Sequence, residues 1–193
     1  MTLSSILIIA TAYLIGAMPS AYIVGRRHGI DLRHTGDGNL GARNAYFVLG
    51  WKPAALVGLL DFGKGAFAAG LATVLSDENH LPYLAALAAA LGHDFSIYIR
   101  FAGGQGMAAI LGSILVLQPR ETLLGMAAVA LCLLILRNWD LSWAIGIGSM
   151  LLWGRHFGRP GWQLLLVAVL FLSIGFKKVV DLPLAHRLKQ GRP

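Results

Sequence analysis

The stretch that decides the reading is Asp31-Leu-Arg-His-Thr-Gly-Asp-Gly-Asn-Leu-Gly-Ala-Arg-Asn44, the longest polar run in an otherwise apolar chain. Three glycines, Gly36, Gly38 and Gly41, alternate there with Asp37, Asn39, Arg43 and Asn44. Glycine permits positive φ, and successive N–H groups turned into one concavity suit a phosphate-like anion. Irregular backbone at membrane depth is tolerated mainly where it lines a cavity. The run therefore reads as a site set among apolar helices.

The composition around it agrees. Of 193 residues, 56% are hydrophobic and only 13% are charged, about half the charged share of a soluble domain. Mean hydropathy is +0.67. The apolar residues fall in long runs: Leu3–Val24, Ala54–Leu75, Pro82–Ile99, Met107–Leu117, Thr122–Leu136, Leu141–Trp153 and Gln163–Phe176. The expectation is an all-α integral membrane protein, one domain over residues 1–193, folded as a compact bundle of about seven transmembrane helices. Five of the runs fall short of the ~20 residues of a perpendicular span. Pro19 should kink the first. That run has no basic leader and no evident cleavage site, so it reads as a retained helix and not as a signal peptide.

A net charge of +7 raises the question of nucleic acid, but the placement of the cations answers it. Arg26, Arg27, Arg33, Arg43 and Lys52 come after the first run, Ser76–Leu81 has none, and Lys177, Lys178, Arg187, Lys189 and Arg192 lie near the C-terminus. This alternation is the positive-inside pattern. It places the N-terminus outside and the tail in the cytoplasm, with twelve of the sixteen Lys/Arg inside, three outside and Lys64 within the membrane. The basic excess thus reports topology, and the partner is a bilayer and not nucleic acid. Trp139, Trp143, Trp153 and Trp162 read as interfacial anchors. The lone Cys132 excludes disulfides, and no metal-ligand spacing is evident.

On this topology the Asp31–Asn44 loop and a second glycine loop, Ala102-Gly-Gly-Gln-Gly106, face the cytoplasm, with His93 and Arg100 toward the same side. Gly36, Gly38, Asn39, Gly41 and Asn44 in one loop, with Gly103, Gly104, Gln105 and Gly106 in the other, are candidates to cradle two phosphate groups. Lys64 is a candidate third partner, although with Asp61 three residues away it equally reads as an intramembrane ion pair. Asn39 and Asn44 also read as loop braces. His93 is polar where polarity is costly and is the candidate acid–base group.

Several motifs carry a resemblance. Gly16-Ala-Met-Pro19, Tyr22-Ile-Val-Gly25 and Gly29-Ile-Asp-Leu-Arg33 resemble segments of the bacterial acyl-phosphate-dependent glycerol-3-phosphate acyltransferases. Gly36-Asp-Gly-Asn-Leu-Gly-Ala-Arg-Asn44 resembles that family's G-S-G-N-x-G-A-T-N motif. Val48-Leu-Gly50 and Asp61-Phe-Gly-Lys-Gly65 match the family's next segments toward the C-terminus. Gly92-His-Asp-Phe95 and Phe101-Ala-Gly-Gly-Gln-Gly106 resemble G-H-x-F-P and F-x-G-G-K-G. The likeness runs from about residue 14 to 112. It implies a seven-helix enzyme of the bacterial cytoplasmic membrane that needs no metal or coenzyme A. Such an enzyme moves an acyl chain from acyl phosphate to the 1-hydroxyl of glycerol 3-phosphate, giving lysophosphatidate for phospholipid synthesis.

Set against the family motifs, the chain has Asp37 for a serine, Arg43 for a threonine, Phe47 for an arginine and Gln105 for a lysine. The family's C-terminal histidine–asparagine pattern is absent from Ala185–Lys189. Arg43 precedes Phe47 by one helical turn, so in a helix it would supply the guanidinium that Phe47 lacks. Asp37 is expected to act as a base on the acceptor hydroxyl. The catalytic candidates are therefore Asp37, His93 and Arg43. The alternatives are a non-catalytic relative that binds a lipid phosphate or a partner, and a transferase with a different acyl acceptor.

Overall fold

The structure, a computed structural model, describes residues 2–191. Arg192, counted above among the tail cations, lies outside them. The described residues form nine α-helices: α1 Leu3–Gly16, α2 Ser20–Arg27, α3 Ala42–Leu49, α4 Trp51–Leu75, α5 Leu81–Asp94, α6 Met107–Leu117, α7 Pro119–Leu136, α8 Trp139–His156 and α9 Gly161–Lys189. The first expected span is α1 and α2 in series, broken at Ala17–Pro19 because proline brings no N–H to continue the ladder. Counted as one, they make seven bundle segments with α4 to α9. Leu3–Arg27, Trp51–Leu75, Pro119–Leu136 and Gly161–Leu188 are long and apolar enough to cross a bilayer, and α6 is a shorter apolar helix of 11 residues.

Three boundaries differ from the sequence expectation. The connection between the first two apolar runs is not loop throughout but turns helical after Gly41. Tyr46–Leu49 supply enough apolar surface for the extra helix α3, bracketed by an extended Gly41 and by Gly50 at φ +90°. Next, α5 stops at Asp94, and Ile97–Ile99 form a single 3-10 turn closed by a bridge between Ser96 and Ala102. Finally, the tail continues α9 through Pro183 and lays Leu184 and Leu188 over Gly38.

Small residues set the helix spacing. In a bilayer, helices gain little from hydrophobic exclusion and associate by close backbone contact. A methyl on Gly16 would strike the backbone of Ala89, and one on Gly92 would strike Tyr13; these contacts join α1 to α5. Gly65 against Ala109 and Gly112 against Phe62 join α4 to α6. The Ser113 hydroxyl lies 2.9 Å from the Gly65 carbonyl and 3.0 Å from that of Ala109. The interior is rich in alanine, while Val74, Leu134 and Leu152 stand exposed on the outside, as lipid-facing positions do. Trp139, Trp153 and Trp162 are exposed in part, but Trp143 is buried in the core.

The end of the bundle remote from the glycine loops is closed by polar staples. Arg159 Nε donates to Glu121 Oε1 at 2.6 Å, and Gln118 Nε2 donates to the Tyr83 hydroxyl at 3.1 Å. The Ser5 hydroxyl donates to Glu78 at 3.1 Å. This leaves the opposite end to the site.

Candidate active site

The first glycine loop is held by one buried side chain. Asn44, on the inward face of α3, donates through Nδ2 to the carbonyls of Leu32 (3.3 Å) and Thr35 (3.0 Å). Its Oδ1 accepts the N–H of Asp37 at 3.2 Å. Gly36, at φ +70°, lies so close to Asn44 Oδ1 that any side chain there would displace it. Asn44 is thus a brace. Replacing it with alanine strands one donor and two acceptors and is expected to destabilise the protein by about 1–3 kcal/mol. Amide exchange in Gly36–Leu40 should rise more than elsewhere, and unchanged exchange there would remove the brace assignment.

The loop's start is fastened by Arg33. Its guanidinium pairs with Asp31 at 2.7 Å and stacks on the Tyr22 ring at 4.7 Å. The Arg33 hydrogen bond holds the Asp31 carboxyl down at a pKa of about 2. A depressed carboxylate adds stability above its ordinary pKa and loses it as pH falls through the folded value. The fastening therefore holds across the physiological range.

The second glycine loop meets the first. Leu40 N–H donates to the Gly103 carbonyl at 3.4 Å, and Gly104 N–H ties the second loop to the end of α5 by donating to the His93 carbonyl at 3.1 Å. Gly103 packs so tightly on the His93 and Asp94 carbonyls that no side chain fits. Between the loops and the Ala17–Pro19 break lies a small cavity of about 10 Å³, lined by Met18, Pro19, Ser20, Leu40, Lys64, His93, Ser96, Ile99, Gly103 and Gly104. That is room for about one water.

Its polar wall is an intramembrane cluster. Asp61, 1% exposed, puts Oδ1 3.0 Å from Lys64 Nζ and 3.5 Å from His93 Nδ1. Lys64 also donates to the Met18 carbonyl at 2.9 Å. An ammonium carries three donors, and the bond to Met18 uses one of them, so Lys64 keeps N–H capacity for the cavity. With Nδ1 turned to Asp61, His93 presents Nε2 toward Gly104. The contact is one of charge without a hydrogen bond, so Asp61 orients the ring electrostatically and leaves Nε2 on the cavity side. The cavity thus offers one cationic donor and one imidazole base. Ser96, whose hydroxyl donates to the Ala17 carbonyl at 2.5 Å, ties the wall to the helix break.

Of the residues singled out in the sequence, Lys64, His93, Gly103 and Gly104 line this cavity. Asp37 and Arg43 do not. The Asp37 carboxylate accepts the Asn39 N–H at 3.0 Å within its own loop, and Arg43 stands on the exposed face of α3. Gly36, Gly38, Asn39, Gly41 and Asn44 shape the loop behind Leu40, and Gln105 and Gly106 continue the second loop beyond the lining residues. Sequence reading does not pick out Met18, Pro19, Ser20, Leu40, Ser96 and Ile99 as lining. The proline break and the polar Ser96 after Phe95 are the available signals. Among the described residues, no three His, Cys, Asp or Glu side chains converge as a metal site would require.

Together these features define a polytopic membrane protein with a small polar, glycine-walled cavity near one end of a helix bundle. The sequence pattern described as glycerol-3-phosphate acyltransferase matches residues 6–182, and the chain belongs to that family. It is similar to the glycerol-3-phosphate acyltransferase of Thermus thermophilus, 34% identical over 182 residues that cover 93% of this chain and 89% of that protein. Glycerol-3-phosphate acyltransferase 1 of Deinococcus radiodurans is 36% identical over 176 residues, 90% of this chain and 86% of that one. The fold matches the crystal structure of PlsY (YgiH), an integral membrane glycerol 3-phosphate acyltransferase, in its glycerol 3-phosphate form. That match has a TM-score of 0.83 and 30% identity, covering 98% of this chain and 94% of that one. The lysophosphatidic acid form gives 0.81 and 29%.

Proposed function

We propose that the chain transfers an acyl group from an acyl phosphate to the 1-hydroxyl of glycerol 3-phosphate at the cytoplasmic face of a bacterial membrane, releasing lysophosphatidate and inorganic phosphate. The N-terminus lies outside and the C-terminus inside. The observation that carries the reading is the buried Lys64–Asp61–His93 cluster on a cavity between two glycine loops, in a chain of this family. The PlsY structures with glycerol 3-phosphate and lysophosphatidic acid support the substrate and product classes.

The chemistry comes from the groups present. The hydroxyl oxygen attacks the acyl carbon, the bond from that carbon to the phosphate oxygen breaks, and phosphate leaves with its electron pair. The hydroxyl proton passes to His93 Nε2, within the usual range of general-base assistance. The free N–H of Lys64 faces the negative charge that develops on oxygen. The cavity holds only about one water, so a substrate enters with a glycine loop displaced.

Growth rescue tests the reading. The chain, expressed in a bacterium whose own acyl-phosphate acyltransferase is switched off, should restore growth, and His93→Gln should not. Failure of the well-expressed chain to rescue would count against it. A second reading, a different acyl acceptor, is favoured by Asp37, whose carboxylate sits in a loop expected to hold phosphate. Asp37→Ser should then raise the use of glycerol 3-phosphate relative to uncharged glycerol. An unchanged acceptor preference would dispose of this alternative.

A further inference from the structure

Helix α3 has two faces with different partners. Its inward face carries Asn44 and Ala45, both buried, and Asn44 holds the glycine loop by three hydrogen bonds. Its outward face carries Arg43, Tyr46 and Phe47 at helical spacing, all exposed, Phe47 by 73%. Tyr46 and Phe47 pack edge to face at 5.4 Å. Trp51 comes next, exposed, with Lys52 Nζ 5.8 Å from its ring. Trp51 is also the first residue of a candidate membrane span, so α3 ends at the boundary where such a span begins.

An aromatic pair facing water is unfavourable, whereas the headgroup layer takes the rings and leaves the tyrosine hydroxyl wet. The cations choose the lipid. Arg43 and Lys52, with Arg26 and Arg27 at the end of α2, are exposed; of the nearby acids, Asp31 is paired with Arg33 and Asp37 turns back on the Asn39 N–H, so the cations outnumber them. Basic and aromatic side chains flanking a membrane span attract anionic lipids.

We propose that the outward face of α3 docks on anionic phospholipid headgroups, and that this contact, passed through Asn44, sets the conformation of the Gly36–Leu40 loop. Phe47, where the family pattern has an arginine, is then a lipid anchor and not a substrate ligand. One helix fixes both the loop and its seat on the membrane.

The test uses the full chain in nanodiscs of phosphatidylcholine alone or mixed with phosphatidylglycerol. A nitroxide on Phe47→Cys, in a Cys132→Ser background, should be relaxed by lipid-soluble oxygen and not by a water-soluble nickel chelate. Hydrogen exchange at Gly36–Leu40 should be slower in the discs with phosphatidylglycerol. Lys52→Gln should weaken the preference for that lipid about fivefold, and adding Phe47→Gln should abolish the difference in exchange. A water-exposed nitroxide, or equal exchange in both discs, would overturn the proposal. Loop protection by free glycerol 3-phosphate in place of phosphatidylglycerol would also overturn it and assign the face to substrate. Neither readout needs turnover, so a failure here is distinct from a failure of the acyltransferase reading.

Discussion

Gly104→Ala should lower kcat/KM for acyl transfer by at least about 100-fold, the lower end of what a general base contributes, while the helix bundle stays folded. A Cβ at Gly104 would collide with His93 Nε2 and come within 2.7 Å of the Leu40 carbonyl. It would fill the space in front of the nitrogen proposed as base and separate the two glycine loops. The φ of Gly104 is not in the left-handed region, so the effect is steric and local. Circular dichroism with steady-state kinetics separates the outcomes. A folded variant with near-normal kcat/KM would show that Nε2 does not face the reacting hydroxyl.

Asp61→Ala should be the most destabilising single change in the bundle. It leaves the Lys64 ammonium, 8% exposed, without its counter-charge at 3.0 Å. Stranding one partner of a buried ion pair costs about 3–5 kcal/mol. Removing both charges in Asp61→Ala/Lys64→Met should recover most of that loss, because two apolar side chains leave no uncompensated charge. Thermal unfolding of the four proteins in detergent closes the double-mutant cycle. Additive losses, with no recovery in the double variant, would mean that the two side chains are energetically independent.

The fold was legible where physics is one-dimensional. Long apolar runs interrupted by Pro19 and the glycine loops can be read without knowing any contact, and they set the segment count. Helix α3 was hidden because eight residues with one apolar face resemble loop, and its stability comes from packing Asn44 and Ala45 inward. The α9 extension was hidden because Pro183 and the polar residues after it read as an end.

The lining of the candidate cavity was half legible. His93 and Lys64 stood out as polar groups in apolar runs, and Gly103 and Gly104 as a motif. The resemblance reached only to about residue 112, whereas the family match extends to residue 182, through helices whose pattern is carried by hydropathy alone. Asp37 and Arg43 drew notice by chemistry, yet their direction depends on a turn and a helix face that the sequence does not specify. Asp37 turns back on Asn39, and Arg43 points outward while Asn44 beside it points in.

The central claim is tested most directly by giving the purified chain palmitoyl phosphate and glycerol 3-phosphate and measuring inorganic phosphate and lysophosphatidate in the same reaction. The account predicts both, formed in equal amounts and both lost in His93→Gln. No lysophosphatidate above a protein-free blank, across several acyl-chain lengths, would contradict it.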